Sequence, residues 1–179
     1  MEGYFPMAEG RHGEIYWHSP DPRAIFPFAG LYPSRKVIKS FNKYNFKFTI
    51  DTHFSEVIEH CANRNSTWIN DDIIHTYNDL FSNGYAHSIE VHSDNILVGG
   101  LYGVSINGAF FGESMFNTVP NASKAAFYYL LEHLRNQGYL LLDSQYLNPF
   151  TEQLGAIEIS KNLYMFLLRK ALDINCRFI

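Results

Sequence analysis

The sequence has 179 residues, of which 46% are hydrophobic and 16% aromatic, so the chain can bury a sizeable core in one or two domains. This composition excludes an intrinsically disordered chain. The formal net charge of −4 excludes a protein that grips a long nucleic acid by bulk electrostatics, because such binding scales with the number of phosphates neutralised. Any contact with nucleic acid is therefore expected to be local.

The cysteines and histidines give no sign of a disulfide framework or a metal site. Cys61 and Cys176 are far apart and form no Cys-x-x-Cys or Cys/His pattern. The histidines show no ligand spacing such as HExxH. No window approaches about 18 uninterrupted apolar residues, and the amino terminus has no signal-peptide run. We therefore expect a soluble, cytoplasmic protein that makes no membrane contact.

The first 33 residues are rich in proline, glycine and aromatic residues, which predicts an ordered coil with short strands. Capping residues and apolar spacing then divide the next 50 residues. The elements expected there are a helix opening at Ser34, a strand over residues 46–50, a helix capped by Asp51 or Thr52 and ending near Asn63, and a helix capped by Asn70 and ending at Asn83–Gly84.

From Tyr85 onward apolar residues recur with a period of two, which predicts antiparallel strands. Asn107–Gly108 lies between two apolar runs and is a strong hairpin signal. The elements expected after the hairpin are a helix from Asn121 or Ser123 to Gly138, a short strand YLLLD, an irregular loop LNPFTEQLGA, a strand AIEIS and a terminal helix KNLYMFLLRKAL.

The segment AFFGESMF contains a single carboxylate, Glu113, among apolar residues. Because strand side chains alternate, Glu113 shares a face with Phe111 and Met115. A strand glutamate commonly faces solvent, but these neighbours favour burial, and a buried carboxylate needs a partner or a change of protonation. Glu113 is therefore a candidate functional residue, and a solvent-facing carboxylate is the alternative.

Two polar residues follow the predicted strand YLLLD at the point where its apolar run ends. Asp143 and Gln145 are two residues apart, so they can point the same way into a crevice at the carboxyl edge of the sheet, where site residues are common. The alternative is that both side chains only cap a turn.

Basic residues alternate with aromatic ones in the segment SRKVIKSFNKYNFKF, and residues 24–50 contain no acid. Lys36, Lys39 and Lys43 recur at helical spacing, which predicts one basic helix face. Two interpretations stay open. The face is either simply solvated or a small surface that contacts phosphates and bases.

Ten short strings occur in order over nearly the whole chain: YFPMAE, YWHSPDPR, SRK, TWIN, GYAHSIEV, LVGGLYGV, FFGESMF, NASK, LLLDSQ and LGAIEI. Together they resemble the bacterial leucyl/phenylalanyl-tRNA–protein transferase family, in a short form. Such an ordered series is far more specific than any single motif above. The sequence departs from the family pattern at His18, Ser144 and Phe150.

The resemblance implies a fold, an organisation and an activity. The implied fold is α+β and GNAT-like, with a mixed, mainly antiparallel sheet flanked by helices. Residues 1–33 correspond to a remnant of a small amino-terminal domain, and residues 34–179 to the catalytic domain. The implied reaction moves Leu, Phe or Met from aminoacyl-tRNA to the amino-terminal Arg or Lys of acceptor proteins. It needs no metal or other cofactor and marks the acceptors for N-degron proteolysis.

The resemblance also implies residue roles. Catalysis falls to Asp143 and Gln145, as a relay that draws on the acceptor amine, and to Glu113. The implied aminoacyl pocket consists of Leu101, Phe110, Phe127, Leu134 and Leu142. The implied contacts with the tRNA 3′ end are Trp17, Trp68, Tyr77, Arg35, Lys36 and Lys39. Core packing or plain solvent exposure is the alternative for each pocket and tRNA residue.

Two other functions stay open. A GNAT acetyltransferase that uses acetyl-CoA normally holds a pyrophosphate on a glycine-rich loop at a helix start, whereas the helix here opens as NASKAAF. A non-catalytic module that binds the tRNA 3′ end would account for the basic segment. It would leave Asp143, Gln145 and Glu113 unexplained.

Overall fold

The computed structural model describes residues 2–64 and 67–179. The strands in this part of the chain are β1 (Phe5–Ala8), β2 (Ile15–His18), β3 (Arg23–Phe26), β4 (Lys47–Ile50), β5 (Ala86–Ser93), β6 (Ile96–Ile106), β7 (Ala109–Asn117), β8 (Leu141–Gln145) and β9 (Ile157–Ile159). The helices are α1 (Arg35–Lys43), α2 (Phe54–Ala62), α3 (Asp71–Ser82), α4 (Ala122–Asn136), α5 (Pro149–Gln153) and α6 (Lys161–Leu172). Among the described residues, none of these helices has the length and apolarity needed to cross a membrane.

The strands form two sheets. β1 and β2 make a two-stranded ribbon, and the other strands form a seven-stranded sheet in the order β4-β5-β6-β7-β8-β3-β9. Neighbouring strands in the larger sheet are antiparallel except for β7 and β8, which are parallel. The predicted α+β class with a mixed, mainly antiparallel sheet is confirmed. β3 comes from the first 33 residues and lies between β8 and β9, so that segment supplies a strand to the main sheet.

Two adjacent glycines in β6 show that helices cover both faces of this sheet. A Cβ on Gly99 would lie 2.5 Å from the Cβ of Ala122 in α4, and one on Gly100 would lie 3.2 Å from Val57 in α2. Because successive strand residues point to opposite faces, α4 and α2 lie on different sides of the sheet. Each side has its own cluster of buried hydrophobic residues.

Local sequence signals set several element boundaries as predicted. The side chains of Ser34 and Asn70 accept hydrogen bonds from the N–H groups of Val37 at 3.4 Å and Ile73 at 2.9 Å, which caps α1 and α3. Asn107 adopts a φ of 52° in the turn that joins β6 to β7. These residues act on neighbours only a few positions away.

The predicted cap of α2 was wrong. His53 occupies the N-cap position and makes no side-chain capping bond. The Asp51 carboxylate turns toward β5 instead, where it accepts a hydrogen bond from the Ser88 N–H and contacts Nδ1 of His87, both at 2.7 Å. Residue identity suggested a cap, but the adjacent strand offered Asp51 better-placed partners.

The loop LNPFTEQLGA was predicted to be irregular, yet it contains α5. Asn148 and Thr151 form a capping box around the helix start, and Pro149 occupies the first turn, where its missing N–H is not needed. Five residues are too few to show a helical period, so only the capping pattern could have revealed this helix.

Glu90 of β5 is a buried carboxylate at the start of α2. It accepts hydrogen bonds from the hydroxyl groups of Thr49, Thr52 and Ser88 and from the backbone N–H groups of Thr52 and His53. The amino end of a helix is also the positive end of its dipole, which favours a carboxylate there. A distant strand residue thus stabilises the helix start that the sequence assigned to Asp51 or Thr52.

We expect Glu90→Ala to lower the free energy of unfolding by about 2–4 kcal/mol, because it leaves several buried donors without an acceptor. Urea unfolding measures the change. Glu59→Ala, on the exposed side of α2, is the matched control and should change stability by less than about 0.5 kcal/mol. Equal effects of the two substitutions would contradict this role for Glu90.

Candidate active site

The main cavity opens where the two parallel strands separate. β7 and β8 pair over three residues, ending at Phe111 and Asp143. A cavity of about 750 Å³ lies at this point; it is lined by residues 112–118, from β7 and the turn after it, and by residues 142–146, from β8 and the residue after it. Open sheets commonly bind ligands beyond the carboxyl ends of parallel strands. The break in pairing therefore creates the site.

One wall of the cavity is apolar. Leu101 of β6, Phe127 and Leu130 of α4, and Leu142 of β8 all line it, and each is nearly fully buried. Phe127 and Leu130 are three residues apart and so share a face of their helix. Together they form a surface suited to an apolar side chain.

Asp143 is completely buried and fully hydrogen-bonded. Its Oδ1 accepts from Arg23 Nε at 3.0 Å and from the Gln145 backbone N–H at 2.9 Å. Its Oδ2 accepts from Arg23 Nη2 at 2.6 Å and from the Tyr164 hydroxyl at 2.7 Å. Asp143 thus contacts the backbone N–H of Gln145, not the side-chain amide through which the predicted relay would run.

Two residues of the cavity lining each carry a buried polar atom with no hydrogen-bond partner among the described residues: the Tyr102 hydroxyl and Nε2 of Gln145. Gln145 also has a φ of 58°, a left-handed conformation that is uncommon for residues other than glycine. Orphaned polar groups and local strain are both characteristic of functional sites. The cavity therefore offers hydrogen-bonding capacity to a polar ligand.

Glu113 lines the same cavity and has a strongly shifted pKa. The pKa of Glu113 is raised to about 8, mainly because burial desolvates the carboxylate; the Tyr77 hydroxyl lowers the pKa, the Asp143 carboxylate raises it, and Arg23 lowers it. Near neutral pH this carboxyl group therefore exchanges a proton readily.

The structure brings all three predicted catalytic residues, Asp143, Gln145 and Glu113, to this cavity. Three of the five predicted pocket residues line it: Leu101, Phe127 and Leu142. The other two, Phe110 and Leu134, belong to the adjoining hydrophobic core and are not among the described residues that form the lining.

The residues predicted to contact the tRNA 3′ end are more widely placed. Trp68 lines the cavity, whereas Trp17 lies on β2 with 68% of its surface exposed. Tyr77 is buried, edge-on to Tyr102, and close enough to Glu113 to affect its pKa. The basic residues predicted for this contact are exposed on α1: Arg35, Lys36 and Lys39.

The positions that depart from the family pattern lie in or beside the cavity. Ser144 and Phe150 line it. His18 lies beside it, with its Nδ1 3.1 Å from the hydroxyl of Tyr146, which is itself a lining residue.

Sequence reasoning missed Arg23, Tyr164 and Leu130. Arg23 begins the apolar run RAIF, and a lone charge in such a run signals a buried partner. Tyr164 gave no signal beyond the apolar face of its helix. Leu130 shares the helix face of Phe127, so the 3.6-residue period could have included it.

Among residues 2–64 and 67–179, no three His, Cys, Asp or Glu side chains are grouped so as to hold a metal ion. The fold and cavity define an α+β protein with an acid–amide site in a cleft between two diverging parallel strands.

Comparisons with known proteins identify the family. The profile of the leucyl/phenylalanyl-tRNA protein transferase family matches residues 25–169. The leucyl/phenylalanyl-tRNA–protein transferase of Gloeobacter violaceus is 46% identical over 177 residues, covering 99% of this chain and 92% of that protein. Its counterpart from Pelodictyon phaeoclathratiforme is 47% identical over 175 residues, with 96% and 90% covered. This chain belongs to the leucyl/phenylalanyl-tRNA–protein transferase family, so the resemblance seen in the sequence is confirmed.

A solved structure is also similar. It is the C-terminal domain of a protein described as a lysylphosphatidylglycerol synthetase from Agrobacterium fabrum, with a TM-score of 0.44 and 10% identity. The match covers 85% of this chain and 52% of that chain.

We expect Glu113→Gln to change how stability depends on pH. In the wild type the folded state holds the Glu113 proton up to a pKa of about 8, whereas the unfolded state releases it near 4.5, so stability falls as pH rises between these values. Glutamine has no proton to lose. As pH rises from 4.5 to 8.5, urea unfolding should show that the free energy of unfolding of the variant increases by on the order of 1–3 kcal/mol relative to that of the wild type.

Glu132→Gln on the exposed side of α4 is the matched control for this measurement. It should follow the wild-type curve. If the free energy of unfolding of Glu113→Gln changes with pH in parallel with that of the wild type, Glu113 is ionised normally in the folded protein.

Proposed function

We propose that this protein transfers Leu, Phe or Met from aminoacyl-tRNA to the amino-terminal Arg or Lys of acceptor proteins and so marks them for N-degron proteolysis. Its partners are the charged tRNA and the acceptor protein, the reaction takes place in the cytoplasm, and it uses no cofactor. The leucyl/phenylalanyl-tRNA–protein transferases of Gloeobacter violaceus and Pelodictyon phaeoclathratiforme support this activity through their names and near full-length similarity.

One observation carries the proposal beyond family membership. Asp143, Gln145 and Glu113 come from two strands that separate, and they line the same cavity as the apolar side chains of Leu101 and Phe127. An apolar wall beside an acid–amide cluster suits a substrate with an apolar side chain next to a reactive ester.

The reaction needs positioning and a route for one proton. The neutral α-amine of the acceptor attacks the ester carbonyl carbon; a C–N bond forms, the C–O bond to the ribose breaks, and the ribose oxygen gains the proton that the amine loses. An α-amino group titrates near pH 8. Because the pKa of Glu113 is also about 8, proton transfer between the two groups is nearly balanced. The ionised form of Glu113 therefore accepts the amine proton and returns it to the ribose oxygen.

Gln145 acts on the ester. Gln145 lines the cavity, and its buried Nε2 has no hydrogen-bond partner among the described residues, so this amide can donate a hydrogen bond to the carbonyl oxygen as negative charge develops there. The apolar wall holds the side chain of the donor amino acid, and Phe110 and Leu134 support this wall from the adjoining core.

The terminal nucleotide of the tRNA stacks on aromatic rings, for which the half-buried Trp68 and the exposed Trp17 are available, and Tyr77 supports the same end. The backbone phosphates contact the exposed basic residues of α1, namely Arg35, Lys36 and Lys39. Ser40 of α1 is joined to Asn121 by a 2.8 Å hydrogen bond, close in sequence to the lining residues Thr118 and Ser123. The basic helix therefore lies near the cavity.

We also propose that the sheet is of the GNAT kind. Its two parallel strands separate around the site, which is consistent with a donor that enters between them. In the proposed organisation, residues 34–179 form the catalytic domain, and residues 1–33 are an amino-terminal segment that supplies β3 to its sheet.

A transfer assay tests the activity. Incubated with radiolabelled Leu-tRNA and an Arg-initiated peptide, the wild type should move label to the peptide. Gln145→Ala should lower the rate by about 10²–10³-fold, because it removes a donor to the developing charge. Its melting temperature should stay near that of the wild type, since Gln145 Nε2 makes no hydrogen bond within the described chain.

Gln137→Ala, at the exposed end of α4, is the matched control and should transfer label like the wild type. Protection of the tRNA without transfer would support the binding module instead. Acetylation of the peptide from acetyl-CoA would support the acetyltransferase. Either result, with no label transferred, contradicts the proposed function.

The apolar wall should set donor preference. Leu130 lines the cavity, so Leu130→Phe should lower kcat/KM for Phe-tRNA about tenfold more than for Leu-tRNA, because the larger donor side chain loses more room. Leu131→Phe is the matched control, since Leu131 is equally buried on α4 but lies outside the lining. It should affect both donors alike. An equal loss for both donors with Leu130→Phe would remove this residue from the pocket.

A further inference from the structure

The hydrogen bonds of Asp143 use up its capacity to accept protons. An ionised carboxylate has about four acceptor positions, and Asp143 fills them with two bonds from Arg23, one from the Tyr164 hydroxyl and one from the Gln145 N–H. A group so occupied is poorly placed to act as a base. Its contribution to the reaction must come from what it holds.

Arg23 is fixed from several sides. Its guanidinium lies 4.7 Å from the ring centres of both Phe5 and Tyr164, and its Nη1 donates to the Gly3 carbonyl at 3.0 Å. Burial alone would lower the pKa of Arg23, but the hydrogen bonds and charge of Asp143 raise it above its ordinary value. Arg23 therefore remains a cation with a single orientation.

Tyr164 is equally constrained. It is buried, and its ring packs so closely on the backbone that a Cβ on Gly3 would lie 2.7 Å from it. Burial and the Asp143 carboxylate raise the pKa of Tyr164, so its hydroxyl stays protonated and donates a hydrogen bond to Oδ2. Tyr164 and Arg23 thus hold Oδ2 between them.

The hydrogen bonds from Arg23 and Tyr164 to Asp143 form a clamp on its carboxylate. The carboxylate held by this clamp in turn fixes Gln145. Oδ1 accepts a hydrogen bond from the Gln145 N–H while that residue holds a φ of 58°, and the side-chain Nε2 has no hydrogen-bond partner within residues 2–64 and 67–179. A free carboxylate could rotate and release this N–H. The bonds from Arg23 and Tyr164 prevent the rotation.

We propose that Arg23 and Tyr164 are positioning residues for the transfer reaction, acting through Asp143 to hold Gln145 in the conformation that presents its amide to the ester. The proposal rests on the proposed function. It gives Asp143 no proton to carry, which leaves Glu113 as the carboxyl group that takes up the proton of the attacking amine.

Two variants test the clamp by steady-state transfer from radiolabelled Leu-tRNA. Tyr164→Phe keeps the ring over Arg23 and removes one hydrogen bond to Oδ2, so kcat should fall about tenfold. Arg23→Lys keeps the charge but cannot bond both oxygens in the same plane, so kcat should fall about a hundredfold. Neither should change KM for the tRNA, because neither side chain lines the cavity.

Tyr139→Phe is the matched control. Tyr139 is also buried, and its hydroxyl makes a hydrogen bond of 2.5 Å with Ser105, away from Asp143. Its substitution should lower the melting temperature about as much as Tyr164→Phe does while leaving kcat unchanged. If kcat falls in Tyr139→Phe and in Tyr164→Phe in proportion to the drop in melting temperature of each variant, the role of Tyr164 is only structural.

A double-mutant cycle separates action through Asp143 from an independent effect. In an Asp143→Asn background, Tyr164→Phe should cause no further loss of kcat, because the group it positions is already altered. Additive losses would overturn the proposal. So would wild-type kcat in folded Tyr164→Phe. If the wild type itself transfers no label, the proposed function fails; if the wild type transfers and both clamp variants match it, only the clamp fails.

Discussion

The buried ion pair between Arg23 and Asp143 joins the amino-terminal segment to the strand that carries the site. Removing two charges from water is unfavourable by several kcal/mol each, and only good geometry with further hydrogen bonds offsets that loss. Here both oxygens of the carboxylate are bonded, and the guanidinium packs on two aromatic rings, each with its centre 4.7 Å away. Together with the hydrogen bond from Tyr164 to Asp143, the pair holds β3, β8 and α6 in one arrangement, and loss of either charged partner would leave an unpaired charge in the core.

The cleft and its two carboxyl groups follow from this arrangement. Pairing of β7 with β8 ends at Asp143, and the residues beyond it line the cavity. Asp143 is surrounded by donors, whereas Glu113 is desolvated by burial and its pKa rises to about 8. Two acids in one cavity therefore differ in role because their surroundings differ: one fixes the backbone and the other can exchange a proton.

Much of the fold and part of the site could be predicted from the sequence. Ser34 and Asn70 cap helices, and Asn107 forms a hairpin, because each acts within about four residues along the chain. The sequence identified Asp143 and Gln145 as polar residues at the end of an apolar strand, and Glu113 as an acid among apolar residues. Phe110 and Leu134 show the limit of such reasoning. Residue type and helix face predict that a side chain points inward, but they do not distinguish a cavity wall from the core behind it.

The sequence by itself therefore determined the family, the mixed α+β architecture and most element boundaries, because these depend on ordered motifs, periodicity and local hydrogen bonds. The tertiary structure alone decided which partners surround the functional groups. Arg23 and Asp143 are separated by 120 residues, and Glu90 of β5 contacts the start of α2, more than 30 positions earlier in the chain. Burial, pKa and charge compensation depend on contacts made only when distant segments pack together, and no local pattern encodes those contacts.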